Sequence, residues 1–146
     1  MFFSGSRFLR NIGLLILRVS FGLYMAIGHG WGKIVGGPER WSGLGQAMEI
    51  FGIGFAPTFW GFMASFAEFA CALLLVIGLF TRPALLLLTI NMGVAATSHI
   101  VGGDGWVGAG SAEMALLYGF MFLSLLLIGP GKYSMDRRLR RLRDKG

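Results

Sequence analysis

The chain has 146 residues, of which 55% are hydrophobic and 14% charged, with a mean hydropathy of +0.68. That leaves too little polar surface to clothe a water-soluble globule of this size. The formal charge of +6 does not point to nucleic acid, because the basic residues cluster beside apolar segments, as membrane topology and anionic lipid require, and no recognition module accompanies them.

Residues 1–11 carry Arg7 and Arg10 and lead into the first apolar run, over 12–31. Arg18 interrupts this run, its length is that of a full crossing, and no A-x-A-like cleavage site follows. It therefore reads as a transmembrane helix rather than a secretory signal. It closes on His29, Trp31 and Lys33, an aromatic at interface depth and a cation just beyond. Residues 34–56 form the longest connection. Gly36, Gly37 and Pro38 mark a turn, and after it Trp41, Leu44, Met48 and Phe51 recur at helical spacing. This predicts a short amphipathic helix at the membrane interface.

The second span, over 57–80, is apolar almost throughout yet carries Glu68 near its centre. A helix of about 20 residues crosses a hydrocarbon core of roughly 30 Å. Glu68 is thereby put near the bilayer midplane, where an ionisable group costs at least ~2.5 kcal/mol and is rarely left unpaired. Gly61 with Ser65, and Ala67 with Cys71, are small residues four apart that allow close helix approach. Cys71 is the only cysteine, which excludes an intramolecular disulfide and a CxxC redox pair. After a tight turn at Thr81-Arg82-Pro83, the third span covers 83–101, with Asn91 inside and His99 near its end. A glycine-rich loop leads to the fourth span, over 111–128, with Glu113 in its first turn. Gly129-Pro130-Gly131 ends it, and the basic tail over 132–146 carries Met135, Leu139 and Leu142 in a narrow apolar stripe. The expected architecture is all-α. It is a single domain over 1–146, an integral membrane four-helix bundle with a short amphipathic interfacial helix between spans one and two.

Four crossings put Arg7, Arg10, Arg82, Lys132, Arg137, Arg138, Arg140, Arg141, Arg143 and Lys145 on one side, and leave Lys33 and Arg40 on the other. The positive-inside bias then makes both termini cytoplasmic. Counted by helical rise from that side, Arg18 and Asn91 lie ~12 Å deep and Glu68 ~18 Å deep. An extended arginine spans the difference, which predicts an Arg18–Glu68 ion pair with Asn91 alongside. Such a core is a structural clamp or a site for a proton or a quinone headgroup, unless Arg18 snorkels to the headgroups.

Antiparallel packing puts His29, His99 and Glu113 at similar depth near the other surface, close to Lys33. Imidazole can hydrogen-bond a quinone carbonyl and exchange a proton near neutral pH. This layer is thus a candidate quinone, ligand or proton site, with plain interfacial structure as the alternative. No segment has metal-ligand spacing, and no metal is expected. There is no P-loop, no GxGxxG after a strand, no CxxCH and no HExxH, hence no haem or flavin signature.

Arg18-x3-Gly22, then His29-Gly30-x2-Lys33, then Glu68 ahead of the run from Leu73 to Arg82, and finally Gly129-Pro130-Gly131-Lys132-Tyr133-Ser134-Met135-Asp136 together resemble the DoxX family over nearly the whole chain. The resemblance implies a four-helix protein of the bacterial inner membrane. Some members are subunits of thiosulfate:quinone oxidoreductase, others accompany membrane redox complexes or oxidative-stress and detoxification systems, and many have no assigned activity. Arg18, His29, Lys33 and Glu68 match recurring polar positions of the family, which has no agreed mechanism to carry over. The function this implies is a membrane subunit or partner of a quinone-linked oxidoreductase, embedded in lipid and drawing electrons from a partner subunit. Whether the chain is itself an enzyme is left open. The alternatives are a non-catalytic assembly subunit of a larger membrane complex and a small-molecule transporter, the latter without an evident inverted repeat to support it.

Overall fold

A computed structural model describes residues 2–144, with side chains from residue 5 onward; Lys145 of the basic tail lies outside the described residues. Among these, every regular element is helical. Helix α1 (Phe2–Leu23) runs on through a π-helical stretch, Tyr24–Gly30, into the short α2 (Trp31–Ile34). After a break come α3 (Gly37–Gly45) and a 3-10 turn, Gln46–Phe51. The second span consists of α4 (Pro57–Phe66), a π-helical segment at Ala67–Cys71, and α5 (Ala72–Ile77). Helices α6 (Thr81–Val101), α7 (Glu113–Ile128) and α8 (Met135–Arg143) complete the chain.

Three of these rods are long and apolar enough to cross a membrane: Gly5–Ile34, Pro57–Ile77 and Thr81–Val101. The fourth, α7, has 16 residues and packs along α6, with Gly119 against Met92. It is antiparallel to α6. The core lies between these rods and is filled by Met25, Leu75, Leu85, Leu88, Phe122 and Leu125. Only 28% of the apolar window of the first and third rods is buried inside the bundle. Most of that apolar surface faces outward, where only hydrocarbon accommodates it without cost.

The relative heights of the rods place the polar residues. The first rod runs antiparallel to the second span, with Arg18 against Leu75 and Val76, and Gly30 against Glu68. Glu68 lies roughly 16 Å along its helix from Pro57, so the first rod ends near the middle of the bundle. Its opposite end, before Asn11, projects past α5 and runs beside α8, at what we call the basic end. The helix expected between the first two spans is present as α3, and its position is more specific than amphipathicity indicates. It packs antiparallel to α4 and covers the remaining distance to the far end. Gly45 lies on the backbone of Pro57, and Gly61 on that of Trp41. A Cβ at either glycine would collide with backbone, so these two residues set the helix separation.

Candidate functional site

Glu68 sits in the π-helical segment of the second span, which packs face to face with the π-helical stretch of the first. A π-turn widens the helix by one residue and re-aims the side chains around it, a device common at functional sites. Gly30 makes the contact: its Cα rests on the Glu68 peptide, and any side chain there would push the rods apart. The Glu68 carboxylate is 2% exposed as a residue. Its Oε1 accepts from Lys33 Nζ at 2.7 Å and from Asn91 Nδ2 at 2.9 Å, and Oε2 is also 2.7 Å from Lys33 Nζ.

The predicted Arg18–Glu68 pair is therefore corrected, while Asn91 does stand beside Glu68. Lys33 is the cation, and it lies inside the bundle rather than just beyond the interface. Arg18, 1% exposed, turns toward the basic end and donates to four backbone carbonyls. These are Leu75 (3.0 Å), Val76 (3.3 Å), Pro130 (2.6 Å) and Tyr133 (3.1 Å). Counting depth from Arg10 failed because the first rod extends beyond the basic end, which leaves residue 18 level with the end of α5.

The cluster opens into a cleft of about 540 Å³ between α3 with its 3-10 turn on one wall and α6 on the other. Lys33, Glu68 and Asn91 line its floor, Leu44, Ala47, Ile50, Ala64, Val94 and Ala95 its largely apolar sides, and His99 its far end. His99 Nδ1 is 2.8 Å from Asp104 Oδ2. His29 and Glu113 are not part of this lining. His29 packs edge-on against Tyr118, with centroids 5.5 Å apart, and Glu113 accepts from the Gly108 amide at 2.9 Å to close the glycine-rich loop. Among the described residues, no three His, Cys, Asp or Glu side chains converge as a metal-ligand set.

The DoxX family profile matches residues 13–101, the stretch that contains Arg18, Lys33, Glu68, Asn91 and His99. The chain belongs to the DoxX family. The inner membrane protein YqjF of Escherichia coli is 31% identical over 134 residues, covering 91% of this chain and 96% of that one. A second inner membrane protein of that bacterium, YphA, is 32% identical over 138 residues, 88% of this chain and 91% of its own. An uncharacterized protein of Haemophilus influenzae is 31% identical over 122 residues, 79% and 82% of the two chains. No solved structure matches.

The profile match ends at Val101, and the structure of this DoxX chain shows what the segment from Gly129 to Asp136 does. Arg18 holds its carbonyls, Asn11 Oδ1 accepts from the Lys132 amide at 3.1 Å, and Ser134 caps α8. Asp136 reaches across to α6, where its two carboxylate oxygens accept from the Phe80 and Thr81 amides at 2.8 Å each. It thereby caps a helix N-terminus from outside the helix. Sequence reasoning missed this role; the available signal was an acid six residues after a helix-ending proline.

Partial burial raises the Asp136 carboxyl, but hydrogen bonds from Thr81 and Phe80 and the nearby Arg140 outweigh it, so the group sits below the ordinary carboxylate range. A lowered folded-state value means the cap contributes fully above the unfolded value of about 4 and fades as pH falls below it. Asp136→Asn keeps one acceptor oxygen where the carboxylate uses two, so it should destabilise the protein by about 1–2 kcal/mol at neutral pH by leaving one amide unpaired. The gap from wild type should close in acid. Thermal unfolding in mild detergent across the two pH ranges checks this, and a pH-independent gap would refute it.

Proposed function

We propose that this DoxX protein is a membrane subunit or partner of a quinone-linked oxidoreductase, with the Lys33–Glu68–Asn91 floor of the cleft receiving the quinone head. The supporting observation is the cleft itself: apolar walls of ligand-sized volume converging on a few fixed polar groups deep in the bundle. Lys33 has three N–H donors, so one remains when two face Glu68, and Asn91 keeps a second N–H. Both can donate to a quinone carbonyl. Glu68 and His99 at opposite ends of the cleft are groups able to exchange the protons that accompany two-electron reduction, with electrons supplied by a partner subunit. The fixed donors mean that little reorganisation is needed on binding.

The orientation that goes with this reading places the basic end in the cytoplasm of a bacterial cell and the cleft mouth toward the outer face of the inner membrane. Support comes from the one-sided basic residues and from the inner-membrane relatives.

The test is quinone retention. Protein purified in mild detergent should carry or take up a short-tailed quinone. Asn91→Leu should weaken that uptake about tenfold, the upper worth of one neutral hydrogen bond, and Glu68→Gln should weaken it similarly by releasing Lys33 and Asn91 from their fixed positions. If wild type binds no quinone, and Glu68→Gln lowers only the amount of an assembled partner complex and not its turnover, the assembly-subunit reading replaces this one.

A further inference from the structure

A second cavity lies at the basic end, separate from the cleft. Between the projecting end of α1 and α8 lies a groove of about 790 Å³. Arg7 and Arg10 stand on the α1 wall, Arg137 and Arg141 on the α8 wall, and Lys132 where the walls meet. The spacings i, i+3 and i, i+4 put each arginine pair on one helix face. Asn11 pins the walls together through the Lys132 amide. Among the described residues the groove has no carboxylate in its lining, and none of the five cations is in an ion pair. Asp136, on the same helix as two of them, is turned away to the Phe80 and Thr81 amides. Five exposed cations line one groove while Asp136 and Asp144 line the adjoining hollow that shares Arg10, Arg137 and Arg141. The cations repel each other through water, and an anion between the walls relieves that repulsion.

We propose that this groove binds an anionic phospholipid with two phosphates, of the cardiolipin class. Two arginine pairs on opposite walls offer two forked phosphate sites, and a single phosphate would leave one wall uncompensated. The groove sits at the end of the spans, where headgroups lie, and basic pockets between helices there take doubly charged lipid heads. Its lining includes two aromatic side chains exposed in the protein alone, Phe8 at 57% and Tyr133 at 42%. These are placed to meet acyl chains, which a soluble polyphosphate would not have.

Native mass spectrometry of the full chain in mild detergent, titrated with cardiolipin, phosphatidylglycerol, phosphatidylcholine or inorganic pyrophosphate, tests the assignment. One cardiolipin per chain should be retained under conditions that strip the other two lipids. Arg137→Gln with Arg141→Gln should weaken retention about 30-fold, from the loss of two near-surface cations. Arg7→Gln with Arg10→Gln, on the other wall, should do the same. Arg138→Gln with Arg143→Gln, an equal charge loss on α8 outside the groove, should leave retention near wild type, and circular dichroism confirms that each variant is folded. The proposal is overturned if phosphatidylglycerol is held as tightly, if pyrophosphate displaces the lipid at matched concentration, if the control pair is as damaging, or if no lipid is retained.

Discussion

Arg18→Met should destabilise the protein by about 3–5 kcal/mol, because it strips a buried, charged donor from four backbone carbonyls at once. Those carbonyls belong to the end of α5 and to the Gly129–Ser134 segment. The loss should therefore show first as undocking of α8, seen as protease cleavage after α7, before the spans come apart. Arg18→Lys should recover less than half of the loss, since one ammonium cannot reach carbonyls that a planar guanidinium spans. The informative combination is Arg18→Met with Glu68→Leu. If the arginine neutralised Glu68, removing both would restore stability; with Arg18 on the carbonyls, the two costs should simply add. Rescue of the double variant in thermal unfolding would overturn the placement of Arg18.

Lys33→Met carries the second large effect, about 3–5 kcal/mol, because it leaves the buried Glu68 carboxylate without its cation. Here the double variant behaves oppositely. Lys33→Met with Glu68→Leu should be more stable than Lys33→Met alone, since replacing both members of a buried pair with apolar groups removes the uncompensated charge. The reverse single change, Glu68→Gln, should be milder. Lys33 is 24% exposed in its side chain and can swing its ammonium into the cleft, whereas Glu68 has no such exit. Equal losses for the two single variants, or no coupling in the cycle, would contradict the geometry of the pair.

The two cycles separate what was legible in advance from what was not. An all-α bundle of apolar helices, a buried carboxylate near the middle of the second span and Asn91 beside it follow from residue types and helical rise, because burying a charge in oil demands partners wherever the helices stand. The identity of the cation did not follow. An apolar window has a length but no absolute height, so apolar burial alone does not fix where the first rod stands along the second span. What removes that freedom is the contact of Gly30 with the Glu68 peptide and the pairing of the two π-helical segments. These raise Lys33 to the level of Glu68 and leave Arg18 at the basic end. Neither π-turn has a propensity signature, since each is one extra residue absorbed within a continuous helix.

Asp136 and the cleft tell the same story at longer range. The tail's acid was visible, but its targets, the amides of Phe80 and Thr81, lie on another helix and are recognisable only once α8 is docked. His29, His99 and Glu113 share a depth by residue count, yet only His99 lines the cleft, because helix rotation, which counting does not supply, decides which side chains face each other. By itself the sequence determined a membrane-embedded all-α bundle with a buried acid that needs a partner, since hydrophobicity and desolvation act residue by residue. Tertiary structure alone decided which partner, which carbonyls and which cleft, since these depend on the height and rotation of one rigid helix against another.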